Sequence, residues 1–428
     1  MPKSPTSAQS HIRLKSFHLR NYPYTAFSLG EWKRYREGVW ERVPEMQVRR
    51  EIQEIAVRYA TGTVTASLVG SVYNLLQQHV FLSDTALDSD IDLIYFHDCV
   101  LRVSTGATEP YDPLKHFATS KLPFHYYPQA TSEAWTQALS MTEPEYVPFL
   151  QEFAGYCLTP STQHELALWC WGDPGSAKST FITGLEAMLG SRCCTLGLAD
   201  IERSHFALAQ LPGKTLAISA EQPSRFVRCS HVLNSLISGE SLIWERKFID
   251  PITIRPTVKL VWAMNELPRI DSSGIGLFRR VVPVPWRKVE HPNPAVKEAV
   301  KLSGQAIFNW AYEGLKRLNE RGRFDIPEGL ISERETYRTQ NDVPQAFLEE
   351  TCEKVDPLDD NGHYRKIQSS ILYLKYKEWC GNTGHKALSS TAFAPEVKRL
   401  GIEKTIIDGK VYWLGIAFKS TDDPEVEM

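Results

Sequence analysis

Apolar residues recur at helical spacing near the N-terminus of the chain. In EMQVRREIQEIAVRYA, residues 45–60, one face of a helix would carry Val48, Ile52, Ile55 and Tyr59. This spacing predicts an amphipathic helix.

The segments on either side have other patterns. Residues 1–24 are polar and lack periodicity, so we predict a loose arm. LIYFHDCVLRVSTGATEPYDP, residues 93–113, predicts two short strands or a hairpin that turns at Ser104-Thr105-Gly106.

Apolar strands alternate with helices through the middle of the chain, which is typical of an α/β nucleotide-binding domain. A small α/β module follows. The predicted parts are a flexible arm (1–24), an N-terminal helical and β domain (25–144), a central α/β domain (145–335), a C-terminal module (343–420) and an acidic tail (421–428).

Composition narrows the class of protein. The sequence is 42% hydrophobic and 23% charged, as in ordinary soluble proteins. No window approaches the ~18 uninterrupted apolar residues that a membrane span requires, and no apolar run follows the first basic residues. We therefore expect a cytoplasmic protein without a membrane segment. The net charge of −3 does not indicate nucleic-acid binding, although the first 60 residues are basic.

The cysteines form no C-x-x-C pair and lie mostly among apolar residues, which predicts reduced thiols rather than zinc ligands or disulfides. They are Cys99, Cys157, Cys170, Cys193, Cys194, Cys229, Cys352 and Cys380.

The stretch GDPGSAKST comes close to the phosphate-binding pattern G-x-x-x-x-G-K-[ST], but Ala177 stands where the pattern has glycine. A strand over Glu165–Trp171 is predicted before it and a helix after it, which is the context of a phosphate loop. An alanine at negative φ would cost little there. A chance Gly/Ser turn is the alternative.

Backbone N–H groups at the start of the helix would cradle the phosphates, Lys178 would neutralise the β and γ oxygens, and Ser179 would ligate Mg²⁺. ATP and Mg²⁺ are the predicted cofactors. The predicted nucleotide-binding residues are Gly172, Asp173, Pro174, Gly175, Ser176, Ala177, Lys178, Ser179 and Thr180.

Three later strands end or begin at residues that an ATPase needs. LAISAE ends at Glu221, which a strand beside the phosphate loop would bring to Mg²⁺ and the attacking water. VWAMNELP ends at Asn265, whose amide would orient that water. GLFRRVVPVPW puts Arg279 and Arg280 before a strand, and arginine supplied across a subunit interface stabilises γ-phosphate charge. The alternatives are a solvated glutamate, a turn asparagine and salt-bridged arginines.

In this order, GDPGSAKST, LAISAE, SLISGESLIWERKF, VWAMNELP and GLFRRVVPVPW resemble the ATPase domain of superfamily 3 helicases. The closest likeness is to the phage and plasmid primase-helicase family, related to the poxvirus primase-helicase. Residues 93–130 resemble the domain that precedes this ATPase, and Phe347 to VYWLGIAF resembles its C-terminal winged helix. The likeness implies a P-loop, AAA+-like α/β domain in a hexameric ring that hydrolyses ATP and moves on single-stranded DNA.

Matched by position, Lys178 and Ser179 correspond to the phosphate-loop residues, Glu221 to the acidic motif and Asn265 to the sensor. Arg280, together with Arg279, corresponds to the arginine finger. The family pattern differs at Ala177, at Ala220, where a second acid often occurs, and at Glu240, where aspartate is common.

The likeness also implies DNA contacts. SGESLIWERKF corresponds to the segment that leads to a channel hairpin, so Arg246 and Lys247 are candidate phosphate contacts. A charged edge strand is the alternative. The first 30 residues are too few for a primase domain, so we expect priming to come from another protein.

The C-terminal module is predicted to be helix, helix and hairpin, as a winged helix requires. SSILYLKYKEWC gives a helix with Ile371, Leu374, Tyr376 and Trp379 as its apolar residues. STAFAPEVKRLG gives a Ser/Thr-capped helix, and KTIIDGKVYWLGIAF a hairpin that turns at Asp408-Gly409.

The second of these helices would expose Lys398 and Arg399 to DNA. Packing against the ring or binding a partner protein is the alternative. The N-terminal domain would bind a replication origin or form a collar on the ring, through Trp32, Trp40 and nearby arginines.

The sequence thus predicts an ATP-dependent DNA helicase or translocase that acts in replication of a phage or mobile element. Its expected partners are single-stranded and forked DNA, further copies in a hexamer, and a separate primase or polymerase. The alternative is a DNA-binding assembly factor with weak or lost ATPase, motivated by Ala177 and Ala220. A small-molecule kinase is disfavoured by the paired arginines and the winged-helix tail.

Overall fold

The computed structural model describes residues 7–60, 62–83, 85–203, 205–222, 227, 230–246, 249–270, 275–289, 293–358, 362–383 and 387–419. The chain divides into two compact units. One comprises Met1–Arg269 and Gly276–Ile331, and the other Ile270–Ile275 and Ser332–Met428. The predicted N-terminal domain falls within the first unit, as does the predicted central domain except for residues 270–275 and 332–335. The boundary at residue 144 stays a prediction.

The N-terminal part of the first unit contains two small antiparallel sheets, β1-β2-β3 and β4-β5-β6. Helices α1, α2 and α3 enclose a core that includes Trp32, Val48, Ile52 and Leu76. The elements are α1 (Ser7–Asn21), β1 (Thr25–Ser28), β2 (Glu31–Arg36), β3 (Val39–Val43), α2 (Glu45–Tyr59), α3 (Ala66–His79), β4 (Leu93–Tyr95), β5 (Val100–Arg102) and β6 (Thr108–Glu109).

The prediction of a loose arm is wrong for residues 7–21, because they form the 15-residue helix α1. Residues 1–6 of that arm and the predicted acidic tail (421–428) lie outside the described residues. Its buried face consists of Leu14 and His18. His18 lies within 3.1 Å of Glu51 Oε2, so a residue that counts as polar in a periodicity pattern provides a core contact. Only the tertiary structure supplies this partner.

Two further predictions for this part need correction. Val48, Ile52 and Ile55 are buried on α2 as predicted, but Tyr59 is 42% exposed. The turn at Ser104-Thr105-Gly106 joins β5 to β6, and an additional reversal joins β4 to β5. The buried tryptophans Trp32 and Trp40 are core residues and present no surface to DNA.

The central part is a five-stranded parallel sheet with the order β13-β7-β12-β9-β8. The elements are α4 (Glu133–Leu139), α5 (Val147–Tyr156), β7 (Ala167–Trp171), α6 (Lys178–Leu189), β8 (Cys193–Thr195), α7 (Leu198–Arg203), β9 (Leu216–Gln222), α8 (Ser230–Ser238), β10 (Leu242–Arg246), β11 (Ile249–Ile254), β12 (Lys259–Met264), α9 (Ile275–Phe278), β13 (Val281–Pro285), α10 (Pro294–Lys301) and α11 (Gly304–Arg321).

Glycines allow α5 and α11 to pack closely beside this sheet. A Cβ on Gly155 would overlap the backbone of Ala311, and one on Gly314 would overlap the backbone of Gln151. The main core of the first unit lies between these helices, α6 and the sheet.

The second unit contains the predicted helix, helix and hairpin. Its sheets are β14-β18 and β15-β17-β16. The elements are α12 (Glu328–Asn341), which begins in the first unit, α13 (Val343–Thr351), β14 (Cys352–Lys354), β15 (Lys366–Gln368), α14 (Ser369–Thr383), α15 (Ser390–Arg399), β16 (Lys404–Ile407), β17 (Lys410–Leu414) and β18 (Ile416–Phe418).

Two local predictions for this unit are confirmed. Ser389 caps α15 through a hydrogen bond from the Ala392 amide. Asp408 and Gly409 both have positive φ (49° and 73°), which is the backbone of a type I′ hairpin turn.

The predicted apolar face of α14 is partly wrong. The buried residues are Leu372, Tyr376 and Cys380, whereas Ile371 and Leu374 are exposed. Apolar residues occur on several faces of this helix, so spacing alone could not select the one that packs.

The cysteines within the described residues are all free thiols, as predicted; Cys229 lies outside those residues. Within the same ranges, no helix has the length and apolar character needed to cross a membrane.

Candidate active site

The stretch Gly172–Thr180 connects a buried strand to a helix, as predicted. β7 ends at Trp171 and α6 begins at Lys178. Gly172 (φ 140°) and Gly175 (φ 84°) both occupy backbone conformations that favour glycine. A Cβ on Gly172 would also overlap the carbonyl oxygen of Trp286. The chain therefore makes a tight loop whose central residues, Asp173, Pro174 and Gly175, are exposed.

Ala177 occupies the position before the lysine without backbone strain. Its φ is −54°, which lies in the region that any L-residue adopts. The departure from the glycine pattern is thus compatible with the loop, because the methyl group is attached to an ordinary backbone conformation.

The Lys178 ammonium lies inside the loop and is 6% exposed. Its Nζ donates hydrogen bonds to the carbonyl oxygens of Gly172 (2.5 Å) and Asp173 (2.9 Å) and to the hydroxyl of Ser176 (2.8 Å). Burial lowers the pKa of Lys178, and the nearby Cys170 and Asp173 oppose this shift. A positive charge is therefore held directly beneath an exposed loop.

The first turn of α6 leaves hydrogen-bond donors free. Ala177 provides no side-chain cap, and the amides of Ser179 and Thr180 have no backbone acceptor within the described residues. The Ser179 hydroxyl likewise makes no hydrogen bond there and is partly exposed. Free N–H groups at a helix N-terminus form a site for anionic groups.

The strand order brings three of the predicted residues to one edge of the sheet. Met264 of β12 lies opposite both Trp171 of β7 and Gln222 of β9. Neighbouring strands are about 4.8 Å apart, so the ends of β7 and β9 are about 10 Å apart. The strand that carries Glu221 is separated from the phosphate-loop strand by β12.

Glu221 lies at a β-bulge. Trp262 pairs with Ser219 and Met264 with Gln222, so Ala220 and Glu221 together face the single residue Ala263. Both bulged residues are exposed although the rest of the strand is buried. Bulges commonly redirect a side chain next to an active site. The bulge explains how a buried strand presents Glu221 to solvent.

Asn265 directly follows β12 and is exposed. Since β12 separates β7 from β9, Asn265 occupies the position between the phosphate loop and the Glu221 bulge. The structure thus brings together the loop, Glu221 and Asn265.

The two arginines lie at the opposite edge of the sheet. Val281 pairs with Ala167 and Pro285 with Trp171, so the arginines precede the end of β13 that is remote from the phosphate loop. At about 3.3 Å per residue, β13 places them roughly 16 Å from the loop of their own chain.

Arg279 and Arg280 differ in their surroundings. Arg280 is buried, and its guanidinium contacts Glu165 Oε2 (2.8 Å), Ser238 Oγ (2.9 Å) and the Gly276 carbonyl oxygen (3.1 Å). Arg279 is exposed and forms no ion pair within the described residues. The correspondence of Arg280 with an arginine finger is therefore not supported by its contacts, since its donors are already engaged within its own chain.

The predicted DNA contacts are described only in part. β10 and β11 form an antiparallel hairpin in which Arg246 pairs with Ile249. Lys247 and the side chain of Arg246 lie outside the described residues. On α15, Lys398 is exposed, but Arg399 forms ion pairs with Asp342 (2.5 Å) and Glu396 (2.6 Å). Arg399 is thus less available to DNA than the sequence predicted.

Sequence reasoning missed the residues that support the site. Glu165 holds Arg280, and the Trp286 carbonyl group lies against Gly172. Glu165 has a positive φ of 47°, for which its sequence carries no signal. These partners are more than 100 residues apart along the chain, so only the fold reveals them.

Two family models match separate parts of the chain. Residues 24–143 match the model described as "D5 N terminal like", and residues 170–280 match one described as "Family of unknown function (DUF5906)". The second range contains the phosphate loop, Glu221, Asn265 and both arginines. The first supports the relation to a phage primase-helicase-like family that the motifs indicate. No curated protein matches the chain.

The chain is also similar to solved structures of one protein region. "The A form apo structure of NrS-1 C terminal region-CTR" is 11% identical, with a TM-score of 0.50, and the match covers 94% of this chain and 97% of that one. A second A form apo structure of that region has the same identity and TM-score and covers 95% and 100%. At this identity the likeness concerns the fold alone. The chain thus has a mixed α/β fold with a parallel sheet, similar to that of the NrS-1 C-terminal region, and its N-terminal part is D5 N-terminal-like.

Proposed function

We propose that the chain is an ATP-driven DNA translocase or helicase of the superfamily 3 type, acting in replication of a phage or mobile element. The observation that carries this proposal is the meeting of the phosphate loop, Asn265 and Glu221 at one edge of the parallel sheet. The loop follows β7, Asn265 follows β12 and Glu221 lies near the end of β9, so three adjacent strands bring to one edge the groups that phosphoryl transfer needs.

The loop residues fit a nucleoside triphosphate. The free amides of Ser179 and Thr180 would bind phosphate oxygens, and Lys178 would exchange its loop acceptors for the β and γ oxygens. Mg²⁺ would be held by the Ser179 hydroxyl and by Glu221. It would neutralise the charge that develops on the transferred phosphoryl group.

Glu221 would also orient the attacking water, and Asn265 would contact it from the neighbouring strand. Both side chains are exposed at the edge, so they can reach the space above the loop. Glu221 would act without a second acid, because the other residue of the bulge is Ala220.

We assign the arginine finger to Arg279 rather than to Arg280. Arg279 is too far from the phosphate loop of its own chain, but it is exposed, so it would complete the site of a neighbouring copy in a ring. This arrangement is the reason that we expect an oligomer, with a hexamer as the form that the family resemblance implies.

DNA would contact the β10–β11 hairpin through Arg246 and Lys247. The second unit has the helix, helix and hairpin of a winged helix, and its exposed Lys398 is the better candidate for a phosphate contact there. The D5 N-terminal-like match of residues 24–143 supports a role in replication.

Steady-state ATP hydrolysis, with and without single-stranded DNA, tests the proposal. We expect turnover that rises several-fold with DNA and is lost in Lys178→Ala. Lys301→Ala is the matched control, because Lys301 is a half-exposed lysine that pairs with Glu298. Turnover in Lys178→Ala equal to that of the parent chain would refute the assignment of the site.

A second function is favoured by two observations. All three Lys178 donors are engaged by the loop, and Ala220 replaces an acid, so the chain could bind ATP as an assembly factor with little hydrolysis. In that case MgATP would raise the thermal midpoint of the parent but not of Lys178→Ala, while neither would show turnover with DNA.

A further inference from the structure

An aromatic pair flanked by arginines lies on the surface of the first unit. The rings of Phe17 on α1 and Tyr59 on α2 are stacked, with centroids 4.2 Å apart and an angle of 11° between their planes. The guanidinium carbons of Arg13 and Arg20 lie 5.6 and 5.7 Å from the centre of the Phe17 ring. We call these four residues the Phe17–Tyr59 patch.

Within the part of the chain that the structure describes, the charges of this patch have no counter-ion. Helix α1 contains no aspartate or glutamate, and within the described residues neither Arg13 nor Arg20 pairs with a carboxylate. Arg58, next to Tyr59, is exposed and also has no ion-pair partner there. By contrast, the half-buried Arg49 and the exposed Arg50 of α2 pair with glutamates one turn away. The patch is therefore a locally cationic surface on a chain whose net charge is negative.

The patch is also held in a fixed position. On an adjoining face of α1, Leu14 and His18 are buried. His18 lies 3.1 Å from Glu51, which accepts two hydrogen bonds from Arg34, at 2.9 and 2.8 Å. This buried cluster ties α1 to α2 and β2, so little side-chain or helix ordering would be needed when a ligand binds.

We propose that the Phe17–Tyr59 patch binds single-stranded DNA. Arg13 and Arg20 are seven residues apart, about 10 Å along the helix axis, and would contact successive parts of the phosphate backbone. Tyr59, which is 42% exposed, would stack on a base. Cationic side chains combined with aromatic rings are the usual means of binding single strands without sequence preference. The choice of DNA over RNA rests on the proposed function.

Fluorescence anisotropy of the full chain with a labelled oligothymidine of about 16 nucleotides tests the charge contribution. The assay is run without nucleotide over a series of salt concentrations. We expect Arg13→Gln with Arg20→Gln to reduce the slope of log K against log salt by about 1.4, which is about 0.7 for each lost phosphate contact.

The matched control is Arg42→Gln with Arg50→Gln. Both control arginines are about 70% exposed and removing them changes the net charge equally, but they pair with Glu31 and Glu54. We expect the control to keep the parent slope. If the two double variants have the same slope, the patch proposal is refuted.

A second pair of variants tests stacking. Tyr59→Leu should weaken binding of the single strand by about 5- to 150-fold, the range for loss of one stacked base, whereas Tyr59→Phe should retain the parent affinity. Equal affinities of the two variants would overturn the assignment to single strands. Tighter binding of an oligouridine RNA than of the DNA would overturn the choice of DNA.

These results are separable from the ATPase assay. Binding is measured without nucleotide, so loss of the patch effect would leave the Lys178 result intact. Absence of turnover in the parent chain would refute the proposed function without altering the salt slopes.

Discussion

Two buried lysines at opposite edges of the parallel sheet have nearly the same immediate surroundings. Lys178 Nζ donates to three oxygen atoms of the phosphate loop. Lys259 Nζ, at the start of β12, donates to the carbonyl oxygens of Thr159, Ser161 (3.3 Å) and Thr257 (2.9 Å). Their roles nevertheless differ, because their acceptors belong to different kinds of structure.

The acceptors of Lys178 belong to a loop that solvent reaches, so phosphate oxygens can replace them. Lys259 is 1% exposed, and the Tyr156 ring centre lies 4.9 Å from its ammonium. Burial lowers the pKa of Lys259 to about 7. A buried lysine therefore indicates a ligand site only when its partners can be exchanged, and Lys259 is a structural residue.

The largest effect is expected at Arg279 and Arg280, which test the same distinction between a residue of the site and a structural residue. An arginine finger contributes about 10³-fold or more to turnover, so Arg279→Gln should lower DNA-stimulated ATP hydrolysis by about 10³-fold and leave the unfolding midpoint unchanged. Arg280→Gln should lower the midpoint instead, because the guanidinium that contacts Glu165, Ser238 and Gly276 is lost. Full turnover in Arg279→Gln would show that no finger acts from this position.

The Arg279 assignment can be sharpened with mixed rings. Equal amounts of Arg279→Gln and Lys178→Ala chains should regain part of the turnover, since some interfaces would then combine an intact loop with an intact Arg279. Mixtures that remain inactive would indicate that each site is completed within one chain.

Replacing Lys259 should have a large effect on stability. Lys259→Met keeps the approximate shape but leaves one buried and two partly buried carbonyl groups without this donor, which we expect to cost about 3 kcal/mol. Thermal unfolding followed by circular dichroism measures the change. Lys178→Met is the matched control, and its midpoint should stay close to that of the parent because water can replace the ammonium at the loop. If both variants lowered the unfolding midpoint equally, the two lysines would not differ in their contribution to stability.

Glu51 extends the comparison to a buried charge that is paired with an oppositely charged side chain, the Arg34 guanidinium. Burial raises the pKa of Glu51, but hydrogen bonds from His18 and Arg34 outweigh burial and lower it to about 2, from 4.5. Because the folded-state pKa lies below the unfolded value, the stabilisation is present above about pH 4.5 and is lost as pH falls towards 2. The midpoint of Glu51→Gln should therefore approach that of the parent over this range.

Thermal midpoints measured between pH 7 and pH 2.5 check this prediction. Glu54→Gln is the control, since Glu54 is an exposed residue of the same helix, and its profile should run parallel to that of the parent. A constant gap between Glu51→Gln and the parent would contradict the assigned linkage.

The smallest effect is expected at Ala177. Since its φ is negative, Ala177→Gly should restore the glycine pattern without a gain in activity, and we expect turnover within about twofold of the parent. The added backbone freedom should cost about 0.5–1 kcal/mol of stability. A large rise in turnover would show that the methyl group, rather than the backbone, limits the approach of phosphate.

Much of the candidate site could be predicted because its signals are local. The loop Gly172–Thr180, the helix after it and the turn at Asp408-Gly409 each depend on neighbours within a few residues, where steric limits on φ and periodicity act directly. The same holds for β9, which contains Glu221, and for β12, which Asn265 follows.

The remainder depended on residues that are distant in sequence. Burial of Arg280 beside Glu165, insertion of β12 between β7 and β9, and the helix in place of an N-terminal arm have no local signal. The sequence by itself determined the strand, loop and helix around Lys178, the helices and hairpin of the C-terminal module, and the chemical groups that they carry. Only the tertiary structure decided which arginine stays exposed, which lysine can exchange its partners and which strand lies beside the loop, because hydrogen bonding and burial are settled when distant segments pack together.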